Sequence, residues 1–399
     1  MKEEFKLVSL THDGAVAAPG FLSPEHAQTV RDFHKSFPMY APTPLVRLKD
    51  TAACLGLGEI YVKDESFRFG LNAFKVLGGS FAIGSYLAEK LDRDVSQADY
   101  GFLTAPGTKR QLGEITFVTA TDGNHGRGVA WTAARFGHKS VVYMPKGSAQ
   151  ERLENILAAG AEASVTALNY DDTVRMARRQ AEEHGWVLVQ DTAWEGYEDV
   201  PTRIMQGYGT MGLEACEQLP EIPTHVFLQA GVGSMAGAVA GLFASVYGKD
   251  RPAVVVVEPD KADCIFRTAL ANDGRLRRVT GDMDTIMAGL ACGEPCSVAW
   301  NVLRSHADFF ISFPDYVAAK GMRILSSPEG KDARVVSGES GASAFGCAAE
   351  IMTNPGLARI RNKLGLDSRS RVLFFSTEGA TDRENYRAVV WDGKYPSIG

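Results

Sequence analysis

From Glu59 onward the chain alternates short, β-branched apolar runs with longer amphipathic segments, and this alternation limits the fold more than any other feature. The runs read as strands are Glu59 to Val62, Ile115 to Thr119, Ser140 to Met144, Trp186 to Gln190, His225 to Gln229, Ala253 to Val257 and Arg371 to Phe375. Between them the helical period predicts Gly79 to Lys90, His125 to Phe136, Ala149 to Ala159, Thr173 to His184, Thr202 to Gln218 and Met235 to Tyr247. Strands that alternate with helices form parallel sheets covered on both faces, and a run such as Ala-Val-Val-Val-Val at 253–257 suits a strand buried on both sides. The class is α/β, with open, mostly parallel twisted sheets flanked by helices. A chain of 399 residues exceeds what one core usually serves. Turn-rich stretches at 91–111 and 194–201 are where it would cross between domains, which gives a large domain of 1–90 and 200–399 with a smaller one, 91–199, inserted.

Composition removes several function classes. A hydrophobic content of 45%, a charged content of 23% and a net charge of -6 describe a globular chain with no attraction for nucleic acid or anionic membranes. The N-terminus lacks the apolar core of a signal peptide, and no apolar run reaches the roughly 18 residues of a membrane span, so a cytoplasmic location is expected. Six cysteines in so long a chain are not a secreted disulfide framework, and free thiols are expected, although Cys264 could bridge to Cys292 or Cys296 if they meet. Cys292-Gly-Glu-Pro-Cys296 has no companion Cys/His pair, so no metal site is expected.

The stretch from Asp64 to Gly79 carries the first chemical hint. Asn72, a good N-cap type, precedes Ala-Phe-Lys, which would put Lys75 in a first helical turn among Phe74, Val76 and Leu77. The helix dipole and the apolar company both act against an ammonium there, and a lysine that is part-time neutral suits Schiff-base chemistry. Taken alone, an ordinary lysine on an amphipathic helix explains the same residues.

Three loops follow strands, where ligands of parallel sheets bind. Thr121-Asp-Gly-Asn-His-Gly126 opens a helix with two glycines that let N–H groups approach a carboxylate. Its Asp122 is out of place in an anion loop unless it caps the helix or serves as a general base, and His125 by itself reads as a hydrogen-bonded structural histidine. Gly231-Val-Gly-Ser-Met-Ala-Gly237 has the spacing of a phosphate-binding nest, with Ser234 able to donate its hydroxyl. The same glycines with Ala236, and Glu258 about twenty residues on, also match a dinucleotide fingerprint, so a Rossmann oxidoreductase is a rival. The third loop, Phe375-Ser-Thr-Glu-Gly-Ala-Thr-Asp382, offers hydroxyls for a ring nitrogen, and a solvated turn explains them about as well.

Taken in order, Pro42-Thr-Pro-Leu45, Lys75, Gly123-Asn-His-Gly126, the 231–237 loop and Ser376 resemble the fold-type II pyridoxal-phosphate enzymes, the group of threonine and serine dehydratases, cysteine synthase and tryptophan synthase β. A Rossmann reading leaves Lys75 and the Asn124 loop without a role. The resemblance implies pyridoxal 5'-phosphate held covalently by Lys75, with Asn124 on the ring hydroxyl and the phosphate bound largely by the backbone of Gly231, Val232, Gly233, Ser234, Met235 and Ala236. It places Ser376 or Thr377 at the pyridine nitrogen, and a neutral hydroxyl there implies a weaker electron sink, suited to β-elimination. Asp122 in place of a hydroxyl residue, with Met287-Ala-Gly-Leu-Ala-Cys-Gly-Glu294, Ser337-Gly-Glu-Ser-Gly-Ala342 and Ser376-Thr-Glu-Gly379, resembles the diaminopropionate ammonia-lyase branch; a hydroxy-amino-acid dehydratase is second and a noncatalytic cofactor carrier third. The branch implies conversion of D- and L-2,3-diaminopropionate to pyruvate and two ammonia by a homodimer, with Lys75 and Asp122 as bases on opposite faces. Thr121, Gly123, His125, Tyr170, Asp191 and Glu339 are the further candidates for contact with the amino-acid substrate, Asp191 as a second source of negative charge for a β-ammonium. For Tyr170 and Asp191, a core tyrosine and a turn aspartate are the simpler accounts.

Overall fold

The computed structural model describes residues 5–12, 17–121 and 123–397. Its strands, in chain order, are Lys6–Ser9 (β1), Leu45–Arg47 (β2), Glu59–Asp64 (β3), Thr116–Ala120 (β4), Lys139–Met144 (β5), Glu162–Val165 (β6), Val187–Leu188 (β7), His225–Gln229 (β8), Ala253–Pro259 (β9), Phe309–Phe313 (β10) and Arg371–Ser376 (β11). They form a seven-stranded sheet, β1-β10-β9-β8-β11-β3-β2, and a four-stranded one, β6-β5-β4-β7. The smaller sheet is parallel throughout. The larger has a parallel centre in which Val226 faces Val254, Phe310 faces Val256 and Val372 faces Ile60. Its two edge strands, β1 and β2, run antiparallel.

Every strand expected from the alternation is present within a few residues. Of the strands not expected, β1, β2 and β6 are short and stand at sheet edges, whereas β10, Phe-Phe-Ile-Ser-Phe at 309–313, is a buried interior strand between β1 and β9 that was passed over. β2 follows two prolines, which an edge strand tolerates, and β6 leaves most of its residues at least partly exposed and so shows no apolar run. The N-terminal segment read as an aperiodic arm contains the helix Pro24–Lys35, whose cap is Ser23 accepting from His26 N at 3.3 Å.

Small residues bring the helices that carry the site into near-backbone contact. A Cβ on Gly207 would stand 2.3 Å from Leu77 O, and one on Gly128 would stand 2.8 Å from Val76 Cα. The helix Val76–Lys90 is thereby locked between Asp199–Gln218 and Asn124–Phe136, which fixes the start of the first against the start of the third.

The chain between β3 and that helix is pinned by buried charge. Lys63, Glu65, Arg68 and Glu214 are all at most 2% exposed. Arg68 donates to both oxygens of Glu65 at 2.8 Å and to the two oxygens of Glu214 at 2.9 and 2.8 Å, and Lys63 Nζ donates to Glu214 at 2.7 Å. Tyr40 OH adds 2.8 Å to Glu214 Oε1 and Thr43 Oγ1 adds 2.6 Å to Glu65. Two cations balance two carboxylates, and each oxygen is bonded, which is the condition for such a group to be buried at all.

The expected N-cap at Asn72 is corrected. Asn72 is in the left-handed region at φ 58, the helix begins at Val76 and Lys75 occupies the cap position. The reason is a tertiary pairing: Gly379 N donates to Asn72 O at 3.0 Å and Phe74 N donates to Thr377 O at 3.0 Å. Those bonds hold 72–74 beside the loop after β11, as a short bridge between Ala73 and Glu378, rather than as helix.

Candidate active site

Five strands of the two sheets deliver their carboxyl ends to one cleft of about 700 Å³. Lys75 comes after β3, Thr121, Asn124 and His125 after β4, Asp191 after β7, Ala230 to Met235 after β8 and Thr377 with Glu378 after β11.

Lys75 is not isolated, as its apolar neighbours suggested. Its Nζ donates to Asp191 Oδ2, and both residues line the cleft. Asp191 is 3% exposed, and Tyr170 OH donates to its other oxygen at 3.3 Å. Burial acts to raise the Asp191 carboxyl, but Lys75, His125 and the Tyr170 hydroxyl outweigh it and hold it well below the usual carboxylate range. Tyr170 in turn accepts from Gln190 Nε2 at 3.0 Å, and Gln190 Oε1 accepts from Ala120 N at 3.0 Å, so the aspartate is braced from the small sheet.

In the loop after β4, Thr121 Oγ1 accepts from Gly123 N at 2.9 Å and Gly126 N at 3.1 Å, curling the backbone into the helix that starts at Asn124. Asn124 Nδ2 donates to Glu378 Oε2. His125 Nε2 bonds Val189 O at 2.8 Å and burial lowers its pKa, so it is a neutral, hydrogen-bonded histidine bordering the cleft. Asp122 lies outside the described residues. Gly126 allows the curl: an added Cβ would be 2.3 Å from Thr121 Cγ2 and 2.7 Å from Val142 Cγ1. Gly126→Ala is expected to lower stability by about 1–3 kcal/mol and to weaken cofactor retention, read by chemical denaturation and visible absorbance; an alanine variant that matches the parent in both would remove this account of the loop.

The 231–235 loop forms the opposite wall. Gly233 has φ 95 at the cap of the helix Ser234–Tyr247, whose first N–H groups have no partner within the helix. A Cβ on Gly231 would press on Cys292 Sγ and Gly289 O, each at 3.2 Å, so only a bare backbone fits there. One expectation changes. Ser234 Oγ donates to Asp191 O at 2.7 Å, so its hydroxyl ties this loop to the Lys75 partner instead of standing ready for an anion. The Ala236 side chain is fully buried and does not border the cleft, which leaves its backbone N–H as the part expected to contribute.

After β11, Ser376 Oγ donates to Ser337 Oγ at 2.8 Å, away from the cleft, whereas Thr377 borders it and accepts from Gln229 Nε2 at 2.9 Å. Gln229 and Glu378 are cleft residues that sequence reasoning passed over. Glu378 was visible only as part of Ser376-Thr-Glu-Gly379, and Gln229, the last residue of β8, carried no local signal. Glu339 does not border this cleft. It pairs with Arg152 Nη2 at 2.5 Å on a neighbouring one.

The acid required by a dinucleotide site is already engaged. Glu258 accepts from Ile265 N at 2.9 Å and Phe266 N at 2.5 Å and is 1% exposed, so it stabilises the start of the helix Cys264–Ala271 and has no free edge for a ribose. All six cysteines are free thiols, Cys264, Cys292 and Cys296 among them.

A bare glycine cradle at a helix N-terminus, a central lysine and a strand-end hydroxyl fit a phosphorylated aromatic aldehyde. The sequence matches the family of pyridoxal-phosphate dependent enzymes over residues 37–372. The chain belongs to that family. It is similar to diaminopropionate ammonia-lyase of Salmonella typhimurium, at 52% identity over 386 residues that cover 96% of this chain and 96% of that protein. Crystal structures of the Escherichia coli diaminopropionate ammonia-lyase superpose with TM-scores of 0.92 for its complex with D-serine and 0.90 for its complex with an aminoacrylate azomethine of the cofactor. These are 47% and 48% identical, each covering 99% of this chain and 98% of the other. The α/β architecture of this pyridoxal-phosphate enzyme is that of its solved relatives.

Proposed function

We propose that this chain is a carbon–nitrogen lyase that converts 2,3-diaminopropionate of either hand and water to pyruvate and two ammonia. One observation carries the reading: among the described residues Lys75 is the only lysine bordering the strand-end cleft, which the glycine loop also lines, and it is paired to a buried aspartate. The 52% identity over nearly the whole length to a diaminopropionate ammonia-lyase supports the substrate.

Lys75 would hold the cofactor, the backbone of 231–235 its phosphate and Asn124 its ring hydroxyl. Thr377 is the better placed of the two hydroxyl residues for the ring nitrogen, because Ser376 is committed to Ser337. When bound, pyridoxal phosphate supplies an electron sink for the charge left at the α-carbon once its proton is removed. Lys75 then takes that proton on its own face, and Asp122, assigned from the sequence, takes it on the other. Asp191, which accepts from Lys75 Nζ, would offer a negative charge to the β-ammonium of the substrate when the lysine is engaged with the cofactor. Tyr170 and Gln190 keep that carboxylate aimed. Loss of the β-amino group and hydrolysis of the remaining enamine to pyruvate balance the reaction.

The same proposal includes a large domain of 1–90 and 200–399 with 91–199 inserted, supported by β4 to β7 all falling inside the insert. It also includes a cytoplasmic homodimer acting on a free amino acid. Among the described residues no helix is long and apolar enough to cross a membrane.

The test is pyruvate release from D- and L-diaminopropionate, serine and threonine by the parent and by Asp122→Asn. The parent is expected to prefer diaminopropionate, and the variant to lose the D form by about 10²-fold or more while keeping most of the L activity. Preference for serine or threonine would move the chain to the dehydratases. Equal loss on both enantiomers would make Asp122 a binding residue.

A further inference from the structure

Next to the active-site cleft lies a second one of about 1510 Å³, and Tyr170 and Ala288 border both. Its floor includes Glu339, which is 2% exposed. Glu339 Oε1 accepts from Arg152, while Oε2 has no hydrogen-bond partner among the described residues. A buried carboxylate oxygen without a partner is costly unless something cationic or protonated meets it during function.

The surroundings supply more negative charge than the guanidinium cancels. Glu378, at 2% exposed, is held by Ser340 N at 3.1 Å and by Asn124, and Asp382 borders the same cleft. Burial, opposed by Arg152 and reinforced by Glu378 and Asp382, pushes the Glu339 carboxyl up to about 7, as expected of a site with a missing cation. The next residue, Ser340, borders the active-site cleft, so adjacent residues of one segment line the two clefts.

We propose that Glu339 is a specificity-determining residue, whose unpartnered oxygen receives the β-ammonium of the incoming diamino acid as it passes from the second cleft to the Lys75 cleft. The proposal rests on the elimination reading above. A β-hydroxyl amino acid has no charge to offer there, so Glu339 selects the diamino acid before either proton-accepting residue acts. Arg152 keeps the carboxylate in place and lies against the cofactor loop, where a Cβ on Gly123 would be 2.9 Å from Arg152 Cδ.

The experiment compares Glu339→Gln and Glu339→Asp with the parent holoenzyme, using kcat and KM for diaminopropionate and the inhibition constant of D-serine as the uncharged comparator. Glu339→Gln is expected to raise KM for diaminopropionate by about 10–100-fold with little change in kcat, and to leave the D-serine constant within about 3-fold. Glu339→Asp keeps the charge and the Arg152 pair and is expected to recover most of the loss. Because Glu339→Gln removes the negative charge that Arg152 Nη2 donates to, thermal unfolding is recorded alongside. If that variant does not fold, the aspartate variant decides: a KM for diaminopropionate raised a few-fold with D-serine unaffected supports the assignment. Equal changes for both ligands, or none, overturn it. A parent enzyme that makes no pyruvate from diaminopropionate would sink the elimination reading itself, a result distinct from a working parent with an indifferent Glu339.

Discussion

Lys75→Ala is expected to lower pyruvate release by at least about 10³-fold and to abolish the visible absorption that borohydride bleaches in the parent. Among the described residues Lys75 is the only lysine bordering the cleft, and the proposed reaction gives it the roles of both anchor and base. Removing it deletes covalent attachment and proton transfer together. Lys75→Arg separates charge from chemistry. A guanidinium still faces Asp191, but it does not deprotonate at working pH and does not form the covalent link, so the arginine variant should be as inactive as alanine while unfolding closer to the parent. The alanine variant leaves Asp191 buried without its cation, so its carboxyl titrates upward and the protein loses stability as well. Activity within tenfold of the parent in either variant would show that Lys75 is not the cofactor lysine.

Glu214→Ala is expected to destabilise the chain by about 3–5 kcal/mol, the largest loss foreseen for a residue outside the cleft. Glu214 is the shared acceptor of Arg68 and Lys63, both fully buried, and its deletion leaves two cations to one carboxylate in a dry site. Burial acts to raise its pKa, but Arg68 and Lys63 push it down to about 2. The sign follows from a folded value below the unfolded one of roughly 4.3. The stabilisation is complete above that unfolded value and is lost as pH falls toward 2. Denaturation midpoints of parent and variant should therefore converge in acid and stay separated at neutral pH. Because the network holds 64–70 ahead of Lys75, Glu214→Ala should also loosen cofactor binding. A variant as stable as the parent at pH 7 would mean that the four charges are not the brace described.

Much of the fold is legible in the sequence because its central strands are buried on both faces and therefore consist of uninterrupted apolar runs; His225 to Gln229 and the Val run of β9 needed no tertiary information. β1, β2 and β6 stand at sheet edges, where one side is solvent or another chain segment, and such strands keep no pattern of their own. Asn72 misled because a good cap type is also a good left-handed residue, and the choice between the two was made by Gly379 and Thr377, some three hundred residues away in sequence. Ser376 and Thr377 are adjacent in a strand end, so they point to opposite sides; the pleat, not composition, decides which one reaches the cleft.

By itself the sequence determined that the chain is a two-sheet α/β protein and that a lysine, an asparagine loop and a glycine loop follow its strands in the order of a pyridoxal-phosphate enzyme. Residue type and order suffice for that, because bare backbone at the glycine loop and a lysine after β3 are requirements of the chemistry. Only the tertiary structure decided the charge around the lysine. Asp191, Tyr170 and Gln190 reach it from the other sheet, Glu378 reaches Asn124 from the last strand, and Glu339 is left with one oxygen unmet among the described residues. Electrostatics depends on distance in space and on burial, and neither is written in the spacing of residues along a chain.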